Sequence, residues 1–315
     1  MTQAISICYI TDNKPGHLNQ LKGLSEQLQV CAEQFDIEIK EYWRNRNDPD
    51  LSWRSLLFKG AKQSTPNQRN IVIGAGHKTH LKMLGLSHKH HAYSVVLMKP
   101  SLPLMLFDAA IIPRHDTPSD GPNTLITNGV LNRIKPKELE SNSDESKHKL
   151  MLIGGASKHY LWNDQQIIQQ VCEVLEQDNS IHWTLANSRR TPATFMDKLA
   201  AISPSNLSIV DWSSAEDHWL PATIENASTI WVTPDSVSMV YEAITSGAET
   251  ALFNLVSANK NRINSGVQQL IADKSVTEFS QWKSNKNIQR IEQPLWESNR
   301  AARWLLRRFQ QAFSD

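Results

Sequence analysis

The chain has 315 residues, which suits two ordinary domains better than one or three. Its formal net charge of +1 excludes a general attraction to nucleic acid or to anionic lipid, so contact with either must depend on a local patch. The three widely spaced cysteines, Cys8, Cys31 and Cys172, favour buried reduced thiols over a disulfide framework and so indicate a reducing, cytoplasmic compartment.

Short apolar runs recur along the chain, each followed by a polar or glycine-bearing turn and a stretch with helical spacing. The predicted strands are AISICYIT, IEIKEYW, NIVIGA, SVVLMK, AAIIP and TLIT, then KLMLIGG, IHWTLAN, LSIVDW, TIWVT and TALFNL. Strands that are apolar on both faces and alternate with helices are typical of parallel sheets covered by helices. Because the polar segment 135–149 separates the two sets, the sequence predicts an α/β fold with domains at 1–140 and 141–292, followed by an amphipathic stretch at 293–315.

The turn TDNKPGHLNQ follows the first predicted strand. Ligands of parallel α/β sheets bind beyond the carboxyl ends of the strands, so such turns are the candidate sites. Gly16 would let a ligand approach the backbone, and the imidazole of His17 suits proton transfer near neutral pH. The alternative is that Lys14, Pro15 and Gly16 only shape the turn and that His17 is a solvated cap.

Two later turns of the first half carry weaker signals. Gly74 and Gly76 bracket the end of the strand NIVIGA, and His77 begins a helix that contains four further histidines. These histidines lack the spacing and the third ligand of a metal site, so no metal is predicted. The loop PRHDTPSDGPN places His115 at a strand end, either as a ligand-facing residue or in a solvated turn fixed by prolines.

Two strand-end turns of the second half suit phosphate. The turn in MLIGGASKHY combines Gly154, Gly155 and the hydroxyl of Ser157 with a lysine. The turn in IHWTLANSRRTP carries Arg189 and Arg190, and a pair of guanidinium groups can hold a diphosphate through bidentate hydrogen bonds. The ordinary alternative is a pair of solvated surface arginines.

The segment VTPDSVSMVYEAITSG predicts a helix between two buried strands. Its apolar stripe has i, i+3, i+4, i+7 spacing and consists of Val237, Val240, Tyr241 and Ile244. Asp235, Ser238 and Glu242 fall on the other side, where Asp235 would cap the helix and Gly247 would end it. Small hydroxyls over a helix N-terminus can take an anion, and a carboxylate one turn further can accept hydrogen bonds from a sugar.

Five motifs in order along the chain carry a resemblance to a known family. They are DNKPGHLNQ, RHDTPSDGPNTLITNGVLNRI, LIGGASKHYLW, SRRTP and VTPDSVSMVYEAITSG. Together they resemble the mitochondrial-fission family named after a plant protein needed for mitochondrial division. The resemblance implies two Rossmann-like domains in a GT-B-like arrangement with an interdomain cleft, and a C-terminal helix that packs back on the first domain. The family is also distantly similar to the glycosyltransferase that adds N-acetylglucosamine to lipid-linked peptidoglycan precursors.

The resemblance also implies a division of the site residues between the two domains. The second domain would bind a nucleoside-diphosphate sugar through Gly154, Gly155, Ser157, Arg189, Arg190, Asp235, Ser236, Ser238, Met239 and Glu242. The first would supply His17 as the catalytic base and an acceptor side made of Asp12, Lys14, Gly16, Asn19, Gln20, His77 and His115. No metal and no cofactor is implied beyond the donor substrate.

The leading hypothesis is therefore a metal-independent glycosyltransferase that passes a sugar to an envelope glycan or a lipid-linked acceptor. A non-catalytic recruitment protein on the same scaffold and a nucleoside-diphosphate-sugar epimerase are the alternatives. Nucleic acid is not an expected partner. No apolar run reaches the roughly 20 residues that span a bilayer, but segment 42–60 fits either an interfacial helix on the cytoplasmic face of the inner membrane or a helix packed on its own sheet.

Overall fold

A computed structural model describes residues 3–51, 69–137, 148–177, 179–258, 262–293 and 295–312. The chain divides into two compact units, of which the first contains Met1–Arg133 and Trp296–Asp315 and the second contains Ile134–Leu295. The boundaries predicted from the sequence lie at 140 and 292. Each unit is built around a parallel sheet with its own buried core.

The sheet of the first unit has six strands, all parallel, in the order β2-β1-β3-β4-β5-β6. The strands are β1 (Gln3–Thr11), β2 (Ile37–Asn45), β3 (Arg69–Ala75), β4 (Tyr93–Leu97), β5 (Ala109–Pro113) and β6 (Thr124–Thr127). The chain places β2 on one side of β1 and then returns to place β3 on the other side. The direction of winding therefore switches between β1 and β3, which is where ligands of such sheets bind.

The helices of the first unit include the N-terminal helix (Pro15–Ala32), the histidine-rich helix (His80–His90) and the C-terminal helix (Glu297–Ala312). Pro15 begins the N-terminal helix at a position where its missing N–H has no intrahelical role. The C-terminal helix buries Leu305, Leu306 and Phe309 in the core cluster of the first unit. Although it is last in sequence, this helix is thus part of the first unit.

A buried polar contact joins the N-terminal and C-terminal helices. Asn299 donates from Nδ2 to Gln27 Oε1 at 3.0 Å, and its own Oδ1 accepts from Arg303 Nε at 2.9 Å. Asn299→Ala is expected to lower the free energy of unfolding by about 1–3 kcal/mol, because Gln27 would be left buried without this donor. Urea denaturation measures the loss, with Gln311→Ala on the exposed side of the same helix as the control. Equal losses for the two variants would contradict the prediction.

The second unit has a second six-stranded parallel sheet, in the order β10-β9-β7-β11-β12-β14, and a separate antiparallel pair, β8 with β13. The strands are β7 (His148–Leu152), β8 (Tyr160–Leu161), β9 (Trp183–Ala186), β10 (Leu207–Val210), β11 (Ala227–Val232), β12 (Glu249–Leu252), β13 (Val256–Ser257) and β14 (Thr277–Glu278). This is the strand order of dinucleotide-binding Rossmann sheets, and its winding switches between β7 and β11.

The helices of the second unit lie between these strands. They are Asp164–Glu176, Ala193–Ile202, Trp219–Asn226, Val237–Ser246, Arg262–Ala272 and Phe279–Asn285. Asn163 caps the first of them by accepting a hydrogen bond from the backbone of Gln166. Trp231 lies in the core of this unit, where its ring centroid is 5.1 Å from that of Phe253 and 5.2 Å from that of Trp282.

The predicted strands all appear in the structure, and the predicted α/β class is confirmed. Patterning missed β8, β13 and β14, because two residues are too few to show a period. The helix predicted for 42–60, whether interfacial or packed on its own sheet, is wrong over residues 42–45, which belong to β2, and residues 52–60 lie outside the described residues. None of the described helices combines the length and the apolar composition that crossing a membrane requires.

Candidate functional site

The main candidate site lies at the winding switch of the second sheet. Gly154 and Gly155 follow β7, while Thr233 and Asp235 follow β11, the strand paired with β7. The Thr233 hydroxyl accepts a hydrogen bond from the Gly154 N–H at 2.7 Å, and Asp235 Oδ2 accepts one from the Gly155 N–H at 3.0 Å. Residues about 80 positions apart in sequence therefore fix the conformation of the glycine turn.

Asp235 is a buried anchor for this turn. Its side chain is 0% exposed, and Oδ2 also pairs with Arg190 Nη1 at 2.7 Å. Burial raises the pKa of Asp235 above its usual value, although the Thr233 side chain, the Arg190 charge and the Gly155 N–H oppose the shift. Oδ1 has no hydrogen-bond donor among the described residues. A carboxylate that is buried with a raised pKa is typical of a functional site.

The structure corrects two predictions about the helix Val237–Ser246, which we call the site helix. The N-cap residue is Ser236 and not Asp235, because the Asp235 carboxylate turns back to the glycine turn. Val237 was assigned to the buried stripe but is only half-buried. The predicted end at Gly247 is confirmed, since this residue has φ of 79°, the left-handed conformation that favours glycine.

The start of the site helix is open to a ligand. The side chain of the N-cap residue Ser236 makes no capping hydrogen bond to this helix. Helix N-termini present N–H groups and a partial positive charge, and both favour an anion. Ser236, Ser238, Met239 and Glu242 are half-buried around this end. The structure therefore gathers four of the predicted donor-side residues around an uncapped helix end.

The glycine turn leaves no room for larger residues. A Cβ atom on Gly155 would overlap the backbone carbonyl of Arg190, and one on Gly154 would overlap the Asp235 carboxylate. Gly155→Ala is expected to lower the free energy of unfolding by about 1–3 kcal/mol, because a backbone carbonyl has little freedom to move away. Gly121→Ala is the matched control, since its Cβ would meet only Thr124 Oγ1 at 3.5 Å. Thermal unfolding of both variants makes the comparison, and equal melting temperatures would contradict it.

The two arginines of the SRR motif have different surroundings. Arg190 Nη1 lies 3.4 Å from the carbonyl oxygens of Gly155 and Ala156 in addition to its pairing with Asp235. Arg189 is exposed. Arg190 thus holds the glycine turn, whereas Arg189 remains the guanidinium placed to meet a ligand from solvent. Contact of either arginine with a nucleoside-diphosphate sugar stays a prediction.

Several site residues were missed by the sequence reasoning. Ser188 Oγ donates to the Gly154 carbonyl at 2.9 Å, and Thr191 Oγ1 donates to the carbonyls of Ile153 and Gly154. Thr233 was missed as well, although a threonine directly after a buried strand is a recognisable signal. Three hydroxyl side chains, from the ends of β9 and β11, therefore hold the turn that two glycines form.

A cavity of about 370 Å³ adjoins the main candidate site within the second unit. Its lining includes Tyr160, Pro234, Phe253 and Asn254. Burial, and then the charge of Asp235, raise the pKa of Tyr160 to about 12, so its hydroxyl stays protonated at neutral pH. The predicted residue Ser157 is half-buried, and its Oγ accepts from the N–H groups of His159 and Tyr160 at 3.2 Å.

A second candidate site lies at the winding switch of the first sheet. His17 Nδ1 and Asp12 Oδ1 are 2.8 Å apart, and the Asp12 side chain is 3% exposed against 20% for His17. Burial acts to raise the pKa of Asp12, but hydrogen bonds from His17 and from the Lys14 N–H outweigh it, so the pKa is lowered. Asp12 is therefore an ionised acceptor, Nδ1 carries the proton, and Nε2 is the basic nitrogen of His17.

Gly76 brings a second strand end against this pair. A Cβ atom on Gly76 would lie 2.6 Å from His17 Nδ1 and 3.1 Å from Asp12 Oδ2, and φ of this residue is +94°. Only glycine permits both the conformation and the approach. The imidazole is consequently held between its carboxylate partner and a backbone segment that follows β3, as a positioned base requires.

The remaining residues predicted on the acceptor side are only partly brought together. Gly16 and Asn19 are half-buried in the first turns of the N-terminal helix, near His17 in sequence. Gln20 is buried and donates to Met98 Sδ at 3.3 Å. His77 is exposed and packs edge-on against His80 at 5.7 Å, and half-buried His115 lies in a turn after β5.

His80 is the most perturbed histidine of this region. Burial, and then the neighbouring His77, lower its pKa to about 4, so it is neutral at pH 7. Within the described ranges, no three His, Cys, Asp or Glu side chains converge as metal ligands would. The cysteines of this chain are free thiols, with Cys31 buried and Cys8 and Cys172 half-buried.

Solved structures share this fold over nearly the whole chain. A Listeria monocytogenes protein assigned as a UDP-N-acetylglucosamine 2-epimerase matches with a TM-score of 0.59 and 10% identity, covering 99% of this chain and 97% of its own. The UDP-GlcNAc 2-epimerase of Methanocaldococcus jannaschii matches with a TM-score of 0.53 and 13% identity, covering 96% of this chain and 99% of its own. The glycotransferase of kitacinnamycin matches with a TM-score of 0.51 and 9% identity, covering 99% of both chains. These likenesses include both units and confirm the predicted GT-B-like fold class.

Sequence comparison identifies the family. An uncharacterized protein of Rickettsia prowazekii is 25% identical, with 95% of this chain and 97% of that protein covered. The family model described as mitochondrial fission ELM1 matches residues 15–309. This match begins just before His17, ends in the C-terminal helix and includes every predicted site residue except Asp12 and Lys14. The chain therefore belongs to the mitochondrial fission ELM1 family.

Proposed function

We propose that the second unit binds a nucleoside-diphosphate sugar and that the protein is a metal-independent glycosyltransferase. The observation that carries the proposal is the uncapped N-terminus of the site helix beside the anchored Gly154–Gly155 turn, at the winding switch of a Rossmann-ordered sheet. Backbone N–H groups at such a point bind diphosphates in many α/β proteins. Support also comes from the fold, since neighbours of the same fold are named as UDP-GlcNAc 2-epimerases, one of them bound to UDP-GlcNAc.

Each part of the donor has a matching feature in the second unit. The diphosphate would meet the site helix at Ser236 and Ser238, with the exposed Arg189 as the cation. Glu242, one turn further along, would accept hydrogen bonds from sugar hydroxyls. The cavity of about 370 Å³ is within the ~300–1,000 Å³ range of small-molecule sites and would take the nucleoside.

The first unit would supply the base. In the transfer step the acceptor oxygen bonds to the anomeric carbon, and the bond from that carbon to the diphosphate oxygen breaks. The nucleoside diphosphate leaves with the electron pair, while the acceptor proton passes to Nε2 of His17. Asp12 stabilises the imidazolium that forms. Arg189 and the site helix would stabilise the charge that develops on the leaving group, so the reaction needs no metal.

We name the acceptor of the sugar only by its chemical class. We propose an envelope glycan or a lipid-linked saccharide, met by a cytoplasmic protein on the inner face of the membrane. The acceptor side would consist of the strand-end residues around Asp12 and Gly16, with Asn19 and Gln20 on the N-terminal helix. Neither a cofactor nor nucleic acid has a part in the proposed reaction.

Ligand-induced stabilisation tests donor binding. A panel of UDP-, GDP-, ADP-, CMP- and TDP-sugars is expected to contain at least one compound that raises the melting temperature by about 5–10 °C at 100 times its dissociation constant. Arg189→Ala and Glu242→Ala should reduce that shift, whereas Lys198→Ala, which removes a cation that pairs with Asp164 Oδ2 at 2.9 Å, should not. No shift with any compound would remove the proposal.

A nucleoside-diphosphate-sugar epimerase is the second candidate, because several neighbours of the same fold carry that name. It would use the same donor groups and the same base but no acceptor. Proton NMR of the donor incubated with the protein alone separates the two reactions. Inversion of a sugar carbon without an acceptor would establish the epimerase, whereas release of the nucleoside diphosphate only with an acceptor would establish the transferase.

A non-catalytic recruitment protein would fit the family name but needs neither site. Its partner would be expected to bind equally well to Glu242→Ala, because that carboxylate lies at the donor site. Loss of a partner in that variant would argue against it. The ionised Asp12 beside His17 favours chemistry over recruitment, since a recruitment surface has no use for an oriented imidazole.

A further inference from the structure

One surface of the first unit is not explained by either candidate site. The histidine-rich helix and the short turn Leu104–Leu106 carry three exposed apolar side chains. The exposed fraction is 74% for Leu81, 89% for Met105 and 49% for Leu106. Single exposed apolar residues are ordinary, but three of them on adjoining elements require an explanation.

The helix and the turn adjoin each other through buried neighbours of these residues. The ring of His80, next to Leu81, packs edge-on against the ring of Phe107 with 5.7 Å between centroids. His80 Nδ1 also lies 3.5 Å from Ser101 Oγ, in the segment that leads into the turn. Met83 and Phe107 belong to one buried cluster. Leu81, Met105 and Leu106 therefore project from one packed layer, which we call the basic apolar surface.

Segment 69–107 carries only positive formal charges, and the exposed Asp108 follows it directly. Residues 69–107 include no Asp or Glu, yet they include Arg69, Lys78, Lys82, Lys89 and Lys99. The whole chain has a net charge of only +1, so the positive charge is concentrated here and the rest of the chain is acidic. Lys78 is exposed just before the histidine-rich helix, and Lys82 follows Leu81 in it. Leu81 is thus flanked in sequence by an exposed and a half-buried lysine.

We propose that the basic apolar surface docks on the anionic face of a lipid bilayer. Leu81, Met105 and Leu106 would enter the boundary between headgroups and acyl chains, and Lys78 and Lys82 would contact the phosphates of acidic headgroups. A protein partner fits less well, because protein interfaces are depleted of lysine whereas bilayer surfaces attract it. The inference does not depend on sugar transfer, and it differs from segment 42–60 in the residues it uses.

Vesicle co-sedimentation of the full chain tests the proposal. The unmodified protein is expected to bind vesicles with 30% phosphatidylglycerol, a composition on the order of an anionic leaflet, and to bind pure phosphatidylcholine vesicles weakly. Removing two lysines in Lys78→Ala/Lys82→Ala should weaken binding by about 30-fold, and higher salt should weaken it further. The variant Leu81→Ser/Met105→Ser/Leu106→Ser should lose binding to both kinds of vesicle.

The matched control has exposed apolar residues elsewhere. Val30 and Ile202 are 52% and 51% exposed on other helices, so Val30→Ser/Ile202→Ser removes exposed apolar area from outside the basic apolar surface. This control should bind vesicles like the unmodified protein. Failure of the unmodified protein to bind anionic vesicles, or equal weakening in the control, would overturn the proposal. Donor-induced stabilisation should be unchanged in all three variants, which separates a failure of this inference from a failure of the proposed function.

Discussion

His17→Ala is expected to lower turnover of the nucleotide sugar by about 100- to 10,000-fold, the range over which a general base contributes. The physical reason is the arrangement at the end of β1, where Asp12 Oδ1 holds Nδ1 at 2.8 Å and leaves Nε2 as the base. Donor affinity should be unchanged, because the donor residues belong to the second unit. Turnover is measured as release of the nucleoside diphosphate, and affinity by thermal shift.

Two further variants sharpen the test of His17. Asp12→Asn should also lower turnover, because an amide can hold the imidazole in the wrong tautomer. His88→Ala, an exposed histidine of the histidine-rich helix, should leave turnover unchanged. If His17→Ala kept the full rate, or if it lost donor binding instead of turnover, His17 would not be the base.

Asp235→Ala is expected to abolish donor-induced stabilisation and to lower the free energy of unfolding by about 1–3 kcal/mol. The Gly155 N–H would remain buried without its acceptor, and the Arg190 guanidinium would lose its partner at 2.7 Å. The turn beside the site helix would then relax, although Asp235 is too deeply buried to reach the donor itself. Asp211→Asn, which changes an exposed carboxylate of the same unit, is the control.

The contribution of Asp235 to folding stability depends on pH with a sign that is unusual for a carboxylate. Burial raises its pKa in the folded protein, so the folded state holds this proton more tightly than the unfolded chain does. From the ordinary pKa near ~4 up to the raised value, its contribution to stability therefore falls as pH rises. Asp235→Asn should remove this slope, which urea denaturation at several pH values measures. A slope unchanged by Asp235→Asn would count against the buried charge as its source.

Local sequence pattern predicted the strands because a strand that is buried on both faces consists almost entirely of apolar residues. Runs such as NIVIGA and TIWVT have no polar face, and only a strand covered on both sides explains them. The end of the site helix at Gly247 was predictable for a similar reason, since a left-handed residue after a helix favours glycine. The glycine turn after β7 and the histidine after β1 were also found from their positions at strand ends.

The direction of individual side chains was less predictable. Asp235 has the type and position of a helix cap, but its carboxylate anchors the Gly155 N–H from a strand about 80 residues earlier. Arg189 and Arg190 are indistinguishable as a motif, yet Arg190 alone pairs with Asp235. Tyr160 gave no signal, because its strand, β8, has only two residues. Each of these outcomes depends on a partner that is distant in sequence.

The sequence by itself determined which segments are strands, which turns carry polar groups and where the charge is concentrated, since these depend on residues within a few positions of one another. Only the tertiary structure decided that β7 lies beside β11 and β1 beside β3. Strand order is fixed by pairing over long separations, which local periodicity does not record. That order brings the glycine turn to Asp235 and Gly76 to His17, and so it makes two candidate sites out of turns that were separate in the sequence.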